Sequence, residues 1–180
     1  MLKGRHVTLR ALREDDFEAW YRLTNTDLEV SLMGQGRWSP RSLETARKIW
    51  DGITTCSPDE MVYFAVEAQD AFIGTIGIKD IDRRSQHGWL AIILDAAQLG
   101  QGYGRDAIGA LLRWAFEVHN LRRISLETWA VNERALRCYQ AVGFVEEGRM
   151  RELMWVDGGY VDVVQMGILR REWRERGGRQ

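Results

Sequence analysis

The chain has 180 residues, 45% hydrophobic and 28% charged, enough to bury a core and shape a cleft within one compact domain spanning 1–180. Its 25 basic and 26 acidic side chains leave a formal charge of -1, so no global field draws it to nucleic acid or a membrane surface. Cys56 and Cys138 stand far apart, outside any C-x-x-C pair and without histidines at zinc-like spacing, which argues against a structural disulfide and against a metal site.

The N-terminal stretch is charged throughout and lacks the apolar core of a signal peptide. No apolar run approaches the ~18 to 20 residues of a membrane span, so the expected location is the cytoplasm. His6 to Leu12 alternates as a strand, and the acids of Arg13-Glu14-Asp15-Asp16 then open a helix carrying Phe17, Trp20, Tyr21 and Leu23. Ser39-Pro40 supplies an N-cap and first-turn proline for a second helix, with Leu43, Ala46, Ile49 and Trp50 at helical spacing.

From Met61 to Ile81 two strand-like runs meet at Gln69-Asp70, a polar connection suited to an antiparallel hairpin. Trp89 to Leu94 is continuously apolar, as a central strand covered on both faces would be. Gly102 to His119 reads as a helix with Ala107, Leu111, Ala115 and Val118 on its apolar side. Asp106, Arg113 and Glu117 mark its wet face, and His119 stands at its end, where a cation suits the helix dipole. The run RRISLETWAV reads as a further strand, Asn132 caps a helix through Val142, Gly143 ends it, and two final strands follow. The order β-α-α-β-β-β-α-β-α-β-β predicts an α/β (α+β) fold, a mixed and largely antiparallel sheet of about seven strands flanked by about four helices.

The most informative unit runs from Ile93 to Arg105, where a buried strand passes through a turn with alternate glycines, Gly100, Gly102 and Gly104, straight into a helix. Such a turn brings backbone close to a ligand, and the helix start offers unpaired N–H groups and a positive dipole end to an anion. A tight strand-to-helix corner would use the same residues. The G-K-[ST] ending of a P-loop is absent, and the third glycine comes one residue too early for G-x-G-x-x-G.

A second unit, Asn132-Glu133-Arg134-Ala135-Leu136-Arg137-Cys138-Tyr139-Gln140-Ala141-Val142-Gly143-Phe144, follows the next strand. Together, G-x-G-x-G/A at a helix start and N-x-x-A-x-x-x-Y-x-x-x-G-F beyond it resemble the GNAT superfamily of acyl-CoA N-acyltransferases. The closing section, EEGRMRELMWVDGGYVDVVQMGILRREW, is similar to the branch containing ribosomal-protein N-terminal alanine and serine acetyltransferases and bacterial polyamine acetyltransferases, and the likeness spans nearly the entire chain.

The resemblance implies acetyl-CoA as co-substrate, with a set of residues for each part of it. The amides of Leu99, Gly100, Gln101, Gly102, Tyr103 and Gly104 would grip its pyrophosphate, with Arg105 beside them, while Ile92, Ile93 and Leu94 would pair with the pantetheine arm. Asn132 would also bind coenzyme A, and Tyr139 would protonate the leaving sulfur. Two positions depart from the family pattern: Leu99 replaces the usual Arg or Gln, and Trp89 stands where many relatives carry a glutamate base.

With that glutamate missing, His87 and Glu127 are the remaining candidate bases. Deprotonating a side-chain amine of pKa ~10.4 at neutral pH costs about 4.6 kcal/mol, against about 1.4 for an α-amine near ~8. A site without a strong base therefore favours an α-amine of a protein N-terminus, peptide or amino acid. The alternatives are a polyamine or other small amine, or a non-catalytic acyl-CoA sensor. Acceptor recognition would draw on Trp20, Trp38, Trp155 and Tyr160 with Glu29, Glu147, Glu152 and Asp157. The arginine-rich end, Arg170 to Arg179, reads as a solvated tail, and a homodimer is compatible with the chain.

Overall fold

A computed structural model describes residues 1–25 and 39–178. In chain order the elements are β1 (Leu2–Lys3), β2 (Thr8–Arg10), α1 (Phe17–Asn25), α2 (Leu43–Thr55), β3 (Val62–Ala68), β4 (Ala71–Asp82) and β5 (His87–Leu94). These are followed by α3 (Tyr103–Arg113), β6 (Arg123–Trp129), α4 (Glu133–Val142), β7 (Val145–Val156), β8 (Gly159–Leu169) and α5 (Arg170–Glu175). The strands form one eight-stranded sheet in the order β1-β2-β3-β4-β5-β6-β8-β7, in which only β5 and β6 pair in parallel.

This is the expected mixed, largely antiparallel architecture with two additions among the described residues. The two-residue β1 is too short to leave an alternating pattern. Helix α5 lies in the arginine-rich end expected to be solvated, and buried Trp173 holds it against Phe116 at 5.5 Å between rings. Arg170 serves the same end: its Nε and one Nη donate to the carbonyls of Leu121 and Asn120. Arg179 lies outside the described residues.

Local chemistry sets the boundaries. Gln69 and Asp70 both take positive φ, making the two-residue turn between β3 and β4. Ser39-Pro40 does not cap α2. Ser42 does, because its Oγ accepts from the Thr45 N–H at 3.2 Å and Pro40 is left in the preceding extended segment. Asn132 Oδ1 caps α4 through the Ala135 N–H at 3.1 Å, and left-handed Gly143 ends it. Helix α3 does not continue regularly to His119; from Trp114 to Val118 it widens into a π-helical turn.

The two faces of the sheet carry different cores. Beneath α3, Ala107, Ile108, Leu111 and Leu112 pack on Ile76, Ile78, Leu90, Ile124 and Leu126. On the other face Phe17 and Trp20 of α1 meet Ala46 and Trp50 of α2, with the Trp20 and Trp50 rings 5.3 Å apart. Arg10 is buried near the start of α1, bridged to Asp16 at 2.7 Å and Glu67 at 2.6 Å. Trp20 is thus a core residue and no acceptor contact, while Trp38 and Glu29 lie outside the described residues.

Candidate active site

The parallel strands β5 and β6 pair only at His87–Arg123, Gly88–Ile124 and Trp89–Ser125. Beyond Trp89 they diverge, so the edge of β5 from Leu90 to Leu94 that faces β6 has no strand partner, and its backbone groups are left for something else. The gap opens a cleft of about 600 Å³ that crosses the sheet. Leu90, Ile92, Leu94 and Tyr139 line it on the α3 side. Register and alternation put Lys79, Ala91, Ile93 and Glu127 on the opposite face.

The glycine turn forms one end of this cleft. Gly100 and Gly102 adopt φ of +79° and +85°, and Gly102 is the N-cap of α3 without any side-chain cap. The amides of Gly100 to Arg105 donate to no described group, which leaves a run of N–H groups at a helix N-terminus free for an anion. Gly104 works differently: it is helical, and a Cβ there would lie 3.4 Å from Leu94 Cδ1. Leu99, Gly100, Gly102, Gly104 and Arg105 line the cleft, as do Ile92, Ile93 and Leu94. Gln101 and Tyr103 do not: the Gln101 side chain turns back to the Ala97 carbonyl at 3.2 Å, and the Tyr103 ring is buried in the core. Only their main-chain amides can serve the turn.

Helix α4 supplies the facing wall with Asn132, Arg134, Ala135, Arg137, Cys138 and Tyr139. Asn132 spends Oδ1 on its cap, which leaves its amide nitrogen for a ligand. Tyr139 sits against Phe144 at 6.0 Å, its hydroxyl has no hydrogen-bond partner among the described residues, and burial raises its pKa well above the usual phenol value. Arg134 and Arg137 went unnoticed in the sequence, although helical spacing places Arg134 one turn from Cys138 on the same side of α4. Arg137 pairs with Glu133 at 3.0 Å, whereas no described carboxylate pairs with Arg134 or Arg105. Unpaired guanidinium groups beside free amides suit a phosphate-rich ligand.

The two candidate bases part company. His87 lies at the closed end of the gap, bonded through Nε2 to Ser125 Oγ at 3.0 Å, and it does not line the cleft. Burial, aided by the charge of Arg123, lowers its pKa. Glu127 lines the cleft, and no described residue forms a hydrogen bond or ion pair with it. Glu147 is committed to Arg123 at 2.7 Å, and hydrogen bonding to that guanidinium holds it below the usual carboxylate range. Trp155 and Tyr160 form an exposed aromatic pair near the β7–β8 turn that contains Asp157, and Glu152 sits in a bulge of β7.

A family model described as an acetyltransferase (GNAT) domain matches residues 6–145. The chain is 28% identical over 172 residues to spermidine N(1)-acetyltransferase of Vibrio cholerae, covering 94% of this chain and 96% of that protein. It is 27% identical to a putative ribosomal N-acetyltransferase, YdaF, of Bacillus subtilis, covering 93% of each. A crystal structure of the Vibrio cholerae spermidine N-acetyltransferase with CoA and spermine superposes with a TM-score of 0.85 at 26% identity, covering 94% of this chain and 98% of that one. The chain therefore belongs to the GNAT acetyltransferase family and moves an acetyl group from acetyl-CoA, its co-substrate, to an amine nitrogen.

Proposed function

We propose that the acceptor is a polyamine or a similar small polycationic amine, that Glu127 takes the proton the amine loses, and that Tyr139 returns one to the departing sulfur. The observation that carries this reading is the cleft through the sheet, with free amides and arginines at one end and the unpaired Glu127 carboxylate on the opposite face. The likeness to spermidine acetyltransferases over nearly the whole chain supports the polyamine class. An α-amine was favoured only because the strand glutamate is replaced by Trp89. Glu127, one strand away, removes that reason.

The chemistry divides between the two faces. An ammonium is drawn to Glu127 and reacts after losing one proton to water; the lone pair of the neutral amine forms the new N–C bond, and the nitrogen, now acidic, surrenders a second proton to the carboxylate. N–H groups on the unpartnered edge of β5 stabilise the oxyanion of the thioester carbonyl. The C–S bond then breaks, and the thiolate accepts a hydrogen bond and finally a proton from Tyr139. The raised pKa of Tyr139 keeps that proton in place until the thiolate has developed.

The test is CoA-thiol release with spermidine, spermine and peptides beginning with Ala or Ser. The polyamines should exceed the peptides at least about tenfold in kcat/KM, and a peptide preference would overturn the polyamine assignment. Glu127→Gln should lose about 100-fold in kcat/KM for the amine, with His87→Gln within about twofold of the parent. Full activity in Glu127→Gln would remove the base.

A further inference from the structure

The first turn of α3 is gripped on two sides. Toward the cleft it presents its free amides, and away from the cleft Asp106, expected on the wet face of the helix, is instead surrounded by backbone donors. Its Oδ1 accepts from the Arg5 N–H at 2.9 Å, and its Oδ2 accepts from the N–H groups of His6 at 2.7 Å and Val7 at 3.0 Å. These residues form the turn between β1 and β2, closed by the Gly4 N–H on the Val7 carbonyl at 2.8 Å.

The fit is close: a Cβ on Gly4 would come within 2.4 Å of Asp106 Oδ2. Two turns along α3, Arg113 donates to the Lys3 carbonyl at 2.5 Å, fastening the same hairpin to the far end of the helix. Strand β2 pairs with β3, which pairs with β4, which pairs with β5. The hairpin thus links the start of α3 back to the strand that borders the cleft.

We infer that Asp106 is a positioning residue for the phosphate cradle, setting the direction in which the amides of Gly102 to Arg105 point. This rests on reading Gly100 to Arg105 as that cradle. Three donors on one carboxylate fix the helix start in orientation as well as in place, since a charge-assisted bond weakens when bent. A purely electrostatic role has the opposite sign. A carboxylate this near the cradle repels phosphate, so removing its charge would then tighten CoA binding. A simple staple would lower Tm and leave CoA affinity alone.

The experiment is calorimetric titration of the purified chain with CoA, which needs no knowledge of the acceptor, together with Tm and steady-state kinetics. Asp106→Asn keeps one acceptor oxygen but turns an NH2 toward a backbone N–H. Its Kd for CoA should rise about tenfold, or ~1.4 kcal/mol, with kcat at saturating acetyl-CoA within about twofold. Gly4→Ala, which pushes on the carboxylate from the other side, should shift Kd in the same direction and serves if Asp106→Asn does not fold. Arg113→Ala should lower Tm with Kd unchanged.

An unchanged or tighter Kd in Asp106→Asn and Gly4→Ala, or an equal rise in Arg113→Ala, overturns the inference. Gly102→Ala separates the two readings. If it leaves Kd unchanged the cradle itself is wrong; if it weakens CoA binding while Asp106→Asn does not, only the role of Asp106 fails.

Discussion

Tyr139 is a phenol with no described hydrogen-bond partner, in a cleft where burial suppresses its ionisation, which suits the proton donor proposed for it. Tyr139→Phe keeps the packing on Phe144 and deletes the hydroxyl. Its kcat should fall about 100-fold while Kd for CoA stays within about twofold, read from steady-state rates and titration. Because its pKa is raised, the parent rate should climb with pH as the amine loses its proton, with no falling limb from Tyr139 below the ordinary phenol value of about 10. The family resemblance pointed to Tyr139, on a helix whose cap at Asn132 and end at Gly143 are readable from its residues. Glu127 was one of two candidate bases, a carboxylate on a strand with nothing local to choose it over His87. Its partnerless place in the cleft depends on where β5 and β6 separate.

At the scale of the element, the glycine turn reads as equivalent residues in sequence and as different ones in the fold. Gly100 and Gly102 have open space around a hypothetical Cβ, so an alanine there meets only backbone strain, roughly 1–2 kcal/mol in the left-handed region. Gly102→Ala should relieve that strain by turning the amides and should weaken CoA about tenfold. Gly104→Ala adds a methyl at ordinary contact distance from Leu94 and should leave CoA affinity within about twofold, as the pattern G-x-G-x-G/A implies. Titration of both variants with CoA checks the split. Helix α3 teaches the same lesson: its apolar stripe was legible, but Asp106 and Arg113 left the expected wet face because a hairpin from a distant part of the chain covers it.

For the molecule as a whole, His119 sets part of the pH response. It stacks on Trp114 at 4.7 Å, its Nε2 is buried without a hydrogen-bond partner among the described residues, and burial, aided by Arg83, lowers its pKa against the opposing pull of the Pro58 carbonyl. The helix-end cation expected at this position is therefore a neutral ring. Since the unfolded chain binds a proton here near pH ~6.5 and the folded chain resists it, stability falls as pH drops below about 6.5. His119→Phe keeps the stack and should make Tm fall less steeply between about pH 7 and pH 5, leaving the slope of the same sign that His87 contributes. A Tm that falls as steeply as in the parent would show that other groups govern the loss.

Period, capping residue and turn chemistry act within a few positions of one another, so the sequence by itself determined the order of strands and helices apart from β1 and α5, the glycine turn and the cap at Asn132. The cleft belongs to the tertiary structure alone, because it exists only where two parallel strands, joined through a helix, stop pairing after Trp89. The same is true of the surroundings of Glu127 inside it and of Asp106 behind it: each is placed by groups far along the chain that no local pattern encodes.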